Sequence, residues 1–100
     1  MEQFPRRLLT IVTEAVLERE LTTEFEALGV RGYTITDARG KGSRGTRQSD
    51  WSQGGNIRIE IVCEPAFAER IAARLRERFY DNYAMILFLQ DVSVLRPDKF

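Results

Sequence analysis

Between Asn56 and Val62 the chain alternates isoleucine with charge: Ile57-Arg58-Ile59-Glu60-Ile61. Side chains of a strand point alternately to its two faces, so this stretch reads as a strand with one buried face. An isoleucine row of this kind needs an apolar layer laid over it. The rest of the fold follows from asking which segments can supply that layer.

Two segments can. Leu17, Leu21, Phe25 and Leu28 recur at helical spacing with glutamates on the other side, and Gly29 provides a left-handed stop. Thr13 offers an N-cap hydroxyl and Glu14 a first-turn negative charge, which predicts a helix over 14–28. Downstream, Pro65 suits a first helical turn, and Phe67, Ile71, Leu75 and Phe79 form a four-spaced ridge widened by Ala68 and Ala72. Leu8 to Val12 reads as a short buried strand and Tyr33 to Asp37 as a β-branched one. Met85 to Leu89 runs on through Val92 and Val94 as a long last strand, opened by Tyr83. The order strand, helix, strand, loop, strand, helix, strand predicts an α+β, ferredoxin-like βαββαβ sandwich, one domain over 1–100. Leu8, Ile11, Phe88 and Val92 cannot all face two helices, so an oligomer packed through sheet faces is expected.

Composition removes several function classes. Histidine is absent and Cys63 is the single cysteine, which excludes a typical zinc site, a Cys–His nucleophile and an internal disulfide. Cys63 itself reads as a buried, inert thiol. The apolar run after Arg6-Arg7 is too short for a signal-peptide core or a membrane span, so a reducing, cytoplasmic setting without membrane insertion is expected. Net charge is zero, yet 39–55 carries a local +3 and 14–26 a local −4. A nucleic-acid binder should carry a broad basic face. Positive charge gathered at one loop fits a small anionic ligand better.

That loop is Arg39-Gly-Lys-Gly-Ser-Arg-Gly-Thr-Arg47, continuing through Trp51 to Gly55. It is longer than hairpin tips usually are, and it reads as lacking secondary structure of its own. Gly40 and Gly42 let backbone N–H groups approach oxygens closely. Ser43 adds a hydroxyl, and Lys41, Arg44 and Arg47 add charge that can hold phosphate or bicarbonate. Neither a Walker A loop nor a Rossmann fingerprint is present. Read from the residues alone, a solvated flexible loop and an anion-binding device stay equally open, as do two roles for Trp51: folded back on its own subunit, or exposed for a partner.

The motifs Val12-Thr13-Glu14, Gly32-Tyr33-Thr34, Gly40-Lys41-Gly42-Ser43-Arg44 with Arg47, and Asn82-Tyr83-Ala84 occur in one order along the chain. Together with Ile57 to Val62, this pattern resembles the PII-like signal-transduction proteins of inorganic-carbon metabolism, both the bicarbonate-transporter-associated regulators and the carboxysome-associated member. The resemblance implies a homotrimer binding AMP or ADP in clefts between subunits, together with bicarbonate, under a T-loop at about 39–55. By matching positions it assigns the phosphates to Gly40, Lys41, Gly42, Ser43, Arg44 and Arg47. It gives the cleft wall to Thr34 and Thr36, and the adenosine border to Tyr83, Ala84 and Met85. Bicarbonate falls to Lys41, Ser43 and Arg47. No cofactor or metal is implied. The partners implied are a bicarbonate transporter or a carboxysome-associated protein, with recruitment to either. The sequence departs from its relatives at Met85, where some have glycine. It also lacks the basic pair near the C-terminus, a cysteine-bearing C-terminal extension and a modification tyrosine in the loop.

Three functions compete on these grounds. The first is a non-catalytic sensor that signals carbon or energy status through loop conformation. The second is a slow nucleotide phosphatase, which would need a base or metal cluster that the sequence does not offer. The third is an RNA-binding ferredoxin-like module, which would need aromatic stacking on an open sheet face that reads as aliphatic.

Overall fold

A computed structural model of the protein describes residues 1–42, 45–47 and 55–100. The predicted architecture is present. Strands β1 (Phe4–Glu14), β2 (Thr34–Ala38), β5 (Asn56–Cys63) and β6 (Ile86–Val94) form an antiparallel sheet in the order β2-β5-β1-β6. Helices α1 (Glu18–Leu28) and α2 (Pro65–Phe79) cover one face. Short strands β3 (Gly40–Gly42) and β4 (Gly45–Arg47) pair as a separate ribbon within the loop.

Register explains the core. Ile35, Ile59, Ile11 and Leu87 stand directly opposite one another across all four strands, with Ile61, Leu9 and Leu89 in a neighbouring row. Leu9, Ile11, Ile59 and Ile61 are fully buried beneath Leu21 and Phe25 of α1 and Ile71, Leu75 and Phe79 of α2. Each such side chain contributes on the order of 1.5–3 kcal/mol relative to an exposed one. The alternation at Ile57 to Ile61 is therefore the central strip of the core, as its pattern requires.

Three sequence-based boundaries are corrected. The first helix does not start at Glu14, and Thr13 is not its cap. β1 stays extended through Glu14, which pairs with Asn56, and the next N–H, that of Ala15, donates to Gly55 O at 2.9 Å. Ladder pairing with β5 thus outcompetes a single capping bond. A 3₁₀ turn over Ala15–Leu17, anchored by buried Leu17, then feeds α1. The last strand begins at Ile86, because Met85 turns into the core and Tyr83 packs edge-on against Phe79. The long loop carries a ribbon after all: Gly40 pairs with Arg47 and Lys41 with Thr46. Its pairing is one of backbone register, and Gly-Lys-Gly with Gly-Thr-Arg has no apolar periodicity to announce it.

Gly29 ends α1 in the left-handed region at φ +84°, and Val30 N–H closes the cap onto Phe25 O at 2.9 Å. Pro65 opens α2 as expected. Between the helices the buried Glu24 carboxylate accepts from Arg74 Nε at 3.0 Å and from Arg78 Nη1.

The second sheet face divides as the strand pattern requires, with one change. Ile11 joins the helix side, whereas Leu8, Val12, Ile86, Phe88 and Val92 lie on the side away from the helices. Ile86 and Phe88 are 43% and 40% exposed there. In the middle of this face Thr10 is wholly buried, and its hydroxyl has no hydrogen-bond partner among the described residues.

Candidate functional site

β2 has a different feature at each end. At its C-terminal end lies the root of the basic loop. Ala38 pairs with Asn56, which in turn pairs with Glu14, so these three residues form a row across β2, β5 and β1. Gly40 and Lys41 follow, both exposed, in register with Arg47 and Thr46. A side chain at Gly40 would meet nothing within 4 Å among the described residues, so its bare backbone is open there to an approaching group. Ser43, Arg44 and Trp51 lie outside the described residues.

The other end of β2 borders a cavity that sequence reasoning missed. β2 pairs with β5 only from Asn56 to Glu60, so Ile61, Val62 and Cys63 extend beyond it with an unpaired edge. Against that edge opens a cavity of about 260 Å³, bounded by Val30, Gly32, Val62, Cys63, Phe67 and Phe100. Its outer wall is the 3₁₀ turn Pro97–Lys99 with Phe100. Two arginines hold that turn by backbone carbonyls: Arg6 donates from Nε to Phe100 O at 3.1 Å, and Arg31 from Nη2 to Asp98 O at 2.9 Å. These contacts join residues more than sixty positions apart, so no local pattern in the sequence could reveal them. Burial, and secondarily the neighbouring Glu64 charge, pushes the Cys63 thiol above its ordinary pKa. The thiol is a wall of the cavity and has the character of an inert one.

The other predicted residues distribute around this frame. Thr34 and Thr36 pair with Glu60 and Arg58, and both are exposed along β2 between the cavity and the loop root. Tyr83, Ala84 and Met85 precede β6, at the same end of the sheet as the loop root. They lie at the opposite edge, however, about 14 Å away across three strand spacings. Of the three, Ala84 is exposed, Tyr83 half-buried and Met85 committed to the core. Met85 can thus border a ligand only through its backbone. One chain therefore does not bring all its predicted ligand residues together.

The chemistry on offer is recognition. A mostly apolar cavity suits a flat ring, and a basic, glycine-rich loop suits oxyanions. Among the described residues no group of histidine, cysteine, aspartate and glutamate is placed to hold a metal ion, and no helix is long and apolar enough to cross a membrane.

Comparison with solved structures agrees with this frame. The chain is similar to a PII-like signaling protein of Thermus thermophilus, with 46% identity, a TM-score of 0.83 and coverage of 100% of this chain and 99% of that one. It is similar also to CPII of Thiomonas intermedia bound to ADP and bicarbonate, with 26% identity, a TM-score of 0.86 and coverage of 99% and 97%. A further structure of CPII, described as a nitrogen regulatory PII-like protein and bound to ADP, AMP and bicarbonate, matches at 25% identity and a TM-score of 0.87, covering 99% of this chain and 96% of that one. The family profile for Nitrogen regulatory protein P-II matches residues 6–99. With that match spanning nearly its whole length, the chain belongs to the nitrogen regulatory P-II family.

Proposed function

We propose that the protein is a regulatory, non-catalytic sensor of AMP and ADP, taken together with bicarbonate in clefts between the subunits of a homotrimer. It reports carbon or energy status through the conformation of its T-loop, at about 39–55 of a single domain. The observation that carries this reading is the separation of the two features flanking β2. From Gly32 to Gly40 an extended chain spans about 25 Å. That is longer than a nucleoside diphosphate, so one chain's cavity and its own basic loop cannot serve the same molecule. A ring of copies removes the difficulty, because one subunit's cavity can then meet its neighbour's loop.

The apolar sheet face favours such a ring. Ile86 and Phe88 stand exposed on it, and burying them against other copies would remove that surface from water. In this arrangement the base occupies the β2-end cavity of one subunit, bordered by Thr34 and Thr36. The phosphates meet Gly40, Lys41, Gly42, Ser43, Arg44 and Arg47, with Tyr83, Ala84 and the Met85 backbone beside the ribose, and bicarbonate adjoins Lys41, Ser43 and Arg47. The ADP and bicarbonate bound by CPII support the choice of ligands. A bicarbonate transporter or a carboxysome-associated protein is the receiver of the signal.

Calorimetric titration with AMP and with ADP, with and without bicarbonate, tests the reading. Saturable binding at one site per subunit is expected, weakened about tenfold in Lys41→Ala by loss of a charge-assisted contact. Absence of binding by either nucleotide would overturn it.

A further inference from the structure

The row at the loop root contains a group that the described contacts leave unsatisfied. Asn56 is only 7% exposed, and its Nδ2 amide has no hydrogen-bond partner among the described residues. A buried amide donor without an acceptor is costly and rare, and it marks a place where an oxygen belongs. Directly across the strand pair, on the same sheet face, stands Glu14. Residues opposed in this way keep their Cβ atoms about 5 Å apart, so one small molecule can touch both. Glu14 Oε1 accepts from Thr13 Oγ1 at 2.9 Å, and a carboxylate has capacity for several further donors. On the other flank of Asn56 is Ala38, the smallest side chain that could close the row. The backbone here is fixed by the Ala15 N–H to Gly55 O bond and by Gly55 in the left-handed region at φ +93°.

We propose that Asn56 and Glu14 form the specificity element of the bicarbonate site, Asn56 donating to an anion oxygen and Glu14 accepting the anion's O–H. The inference rests on the nucleotide-and-bicarbonate reading above and adds two residues outside the basic loop. The two side chains have opposite hydrogen-bonding characters, one a donor and the other an acceptor. Bicarbonate carries acceptor oxygens and one O–H, so it satisfies both partners at once. Acetate carries only acceptors, so it satisfies the amide but sets its oxygen lone pairs against the Glu14 carboxylate. The basic loop attracts either anion; this pair distinguishes them. Lys41, three positions beyond Ala38 in the ribbon that springs from this root, is exposed and adds positive charge to this end of the sheet.

The test titrates the intact protein, saturated with ADP, with sodium bicarbonate and with sodium acetate. The parent is expected to prefer bicarbonate. Asn56→Leu, which removes the amide without adding charge, is expected to weaken bicarbonate about tenfold. Glu14→Gln keeps the shape and tests the other half: it is expected to bind acetate and bicarbonate alike. Bicarbonate held as tightly by Asn56→Leu as by the parent, or a parental preference retained in Glu14→Gln, would overturn the proposal. If the parent binds ADP but no bicarbonate, this inference falls while the nucleotide reading stands. If it binds no nucleotide, bicarbonate is titrated alone, and the absence of heat then overturns both.

Discussion

Replacing Glu24 by glutamine should lower stability by about 1–2 kcal/mol, and the loss should disappear in acid. Glu24 is 5% exposed, whereas its partners Arg74 and Arg78 are 46% and 45% exposed. Removing one member of a buried ion pair costs about 3–5 kcal/mol when the survivor is stranded in the interior. Here the survivors are half in water and simply rehydrate, so that figure is too high. What is lost is the difference between charge-assisted bonds, about 1.5–3 kcal/mol each, and neutral ones, about 0.5–1.5, taken over two bonds and reduced by the easier burial of an amide. For a domain of this size, about 1–2 kcal/mol corresponds to about 4–15 °C in Tm. The Arg74 hydrogen bond, helped by Arg78 and opposed by burial, holds the Glu24 pKa below its ordinary 4.5. A folded-state pKa that is lowered contributes stability that is complete above 4.5 and fades as pH falls through the folded value. Thermal melts of parent and Glu24→Gln at matched protein concentration, at neutral pH and again well below the folded pKa, check both parts. Glu20→Gln is the control, since Glu20 is 50% exposed and lies 3.8 Å from Arg78, a pair worth under about 1 kcal/mol. Equal melting of parent and Glu24→Gln at neutral pH, or a gap that persists undiminished in acid, would show that the ionised Glu24 carboxylate is not what stabilises the helix pair.

Two further outcomes are expected. Cys63 should react with a thiol reagent only after denaturation, because it is 7% exposed and its pKa is raised; stoichiometric labelling of the native protein within minutes would contradict that. Phe88→Glu places a charge on the sheet face away from the helices. It should reduce the species seen by light scattering to a monomer with unchanged far-ultraviolet circular dichroism, and an unaltered oligomer would exclude that face as the interface.

Much of the fold was legible because its signals are periodic. The isoleucine alternation and the two apolar helical ridges name their own buried faces, and Gly29 and Pro65 mark helix boundaries by backbone chemistry that acts locally. The misreadings fall where a distant partner decides. Thr13 looks like a cap until the pairing of Glu14 with Asn56 keeps the strand extended. The ribbon of Gly40–Gly42 with Gly45–Arg47 is held by backbone groups, which carry no residue signature. The basic, glycine-rich loop proposed to hold the anions could be picked out by charge and glycine content. The cavity could not, because its walls come from the loop after α1, the unpaired tip of β5 and the C-terminal turn. Asn56 was equally silent in the sequence, since an asparagine before a strand reads as turn chemistry until its burial is known.

In the proposed trimer a nucleotide lies between subunits, with its base in one chain's β2-end cavity and its phosphates at a neighbour's basic loop. A crystal structure of the protein grown with ADP and bicarbonate would locate both ligands. One nucleotide per subunit is expected, its base against Gly32, Val62 and Phe67, its phosphates against Gly40 to Arg47 of the adjacent copy, and bicarbonate beside Asn56 and Glu14. A nucleotide contacting a single chain, or bound with the cavity empty, would contradict it.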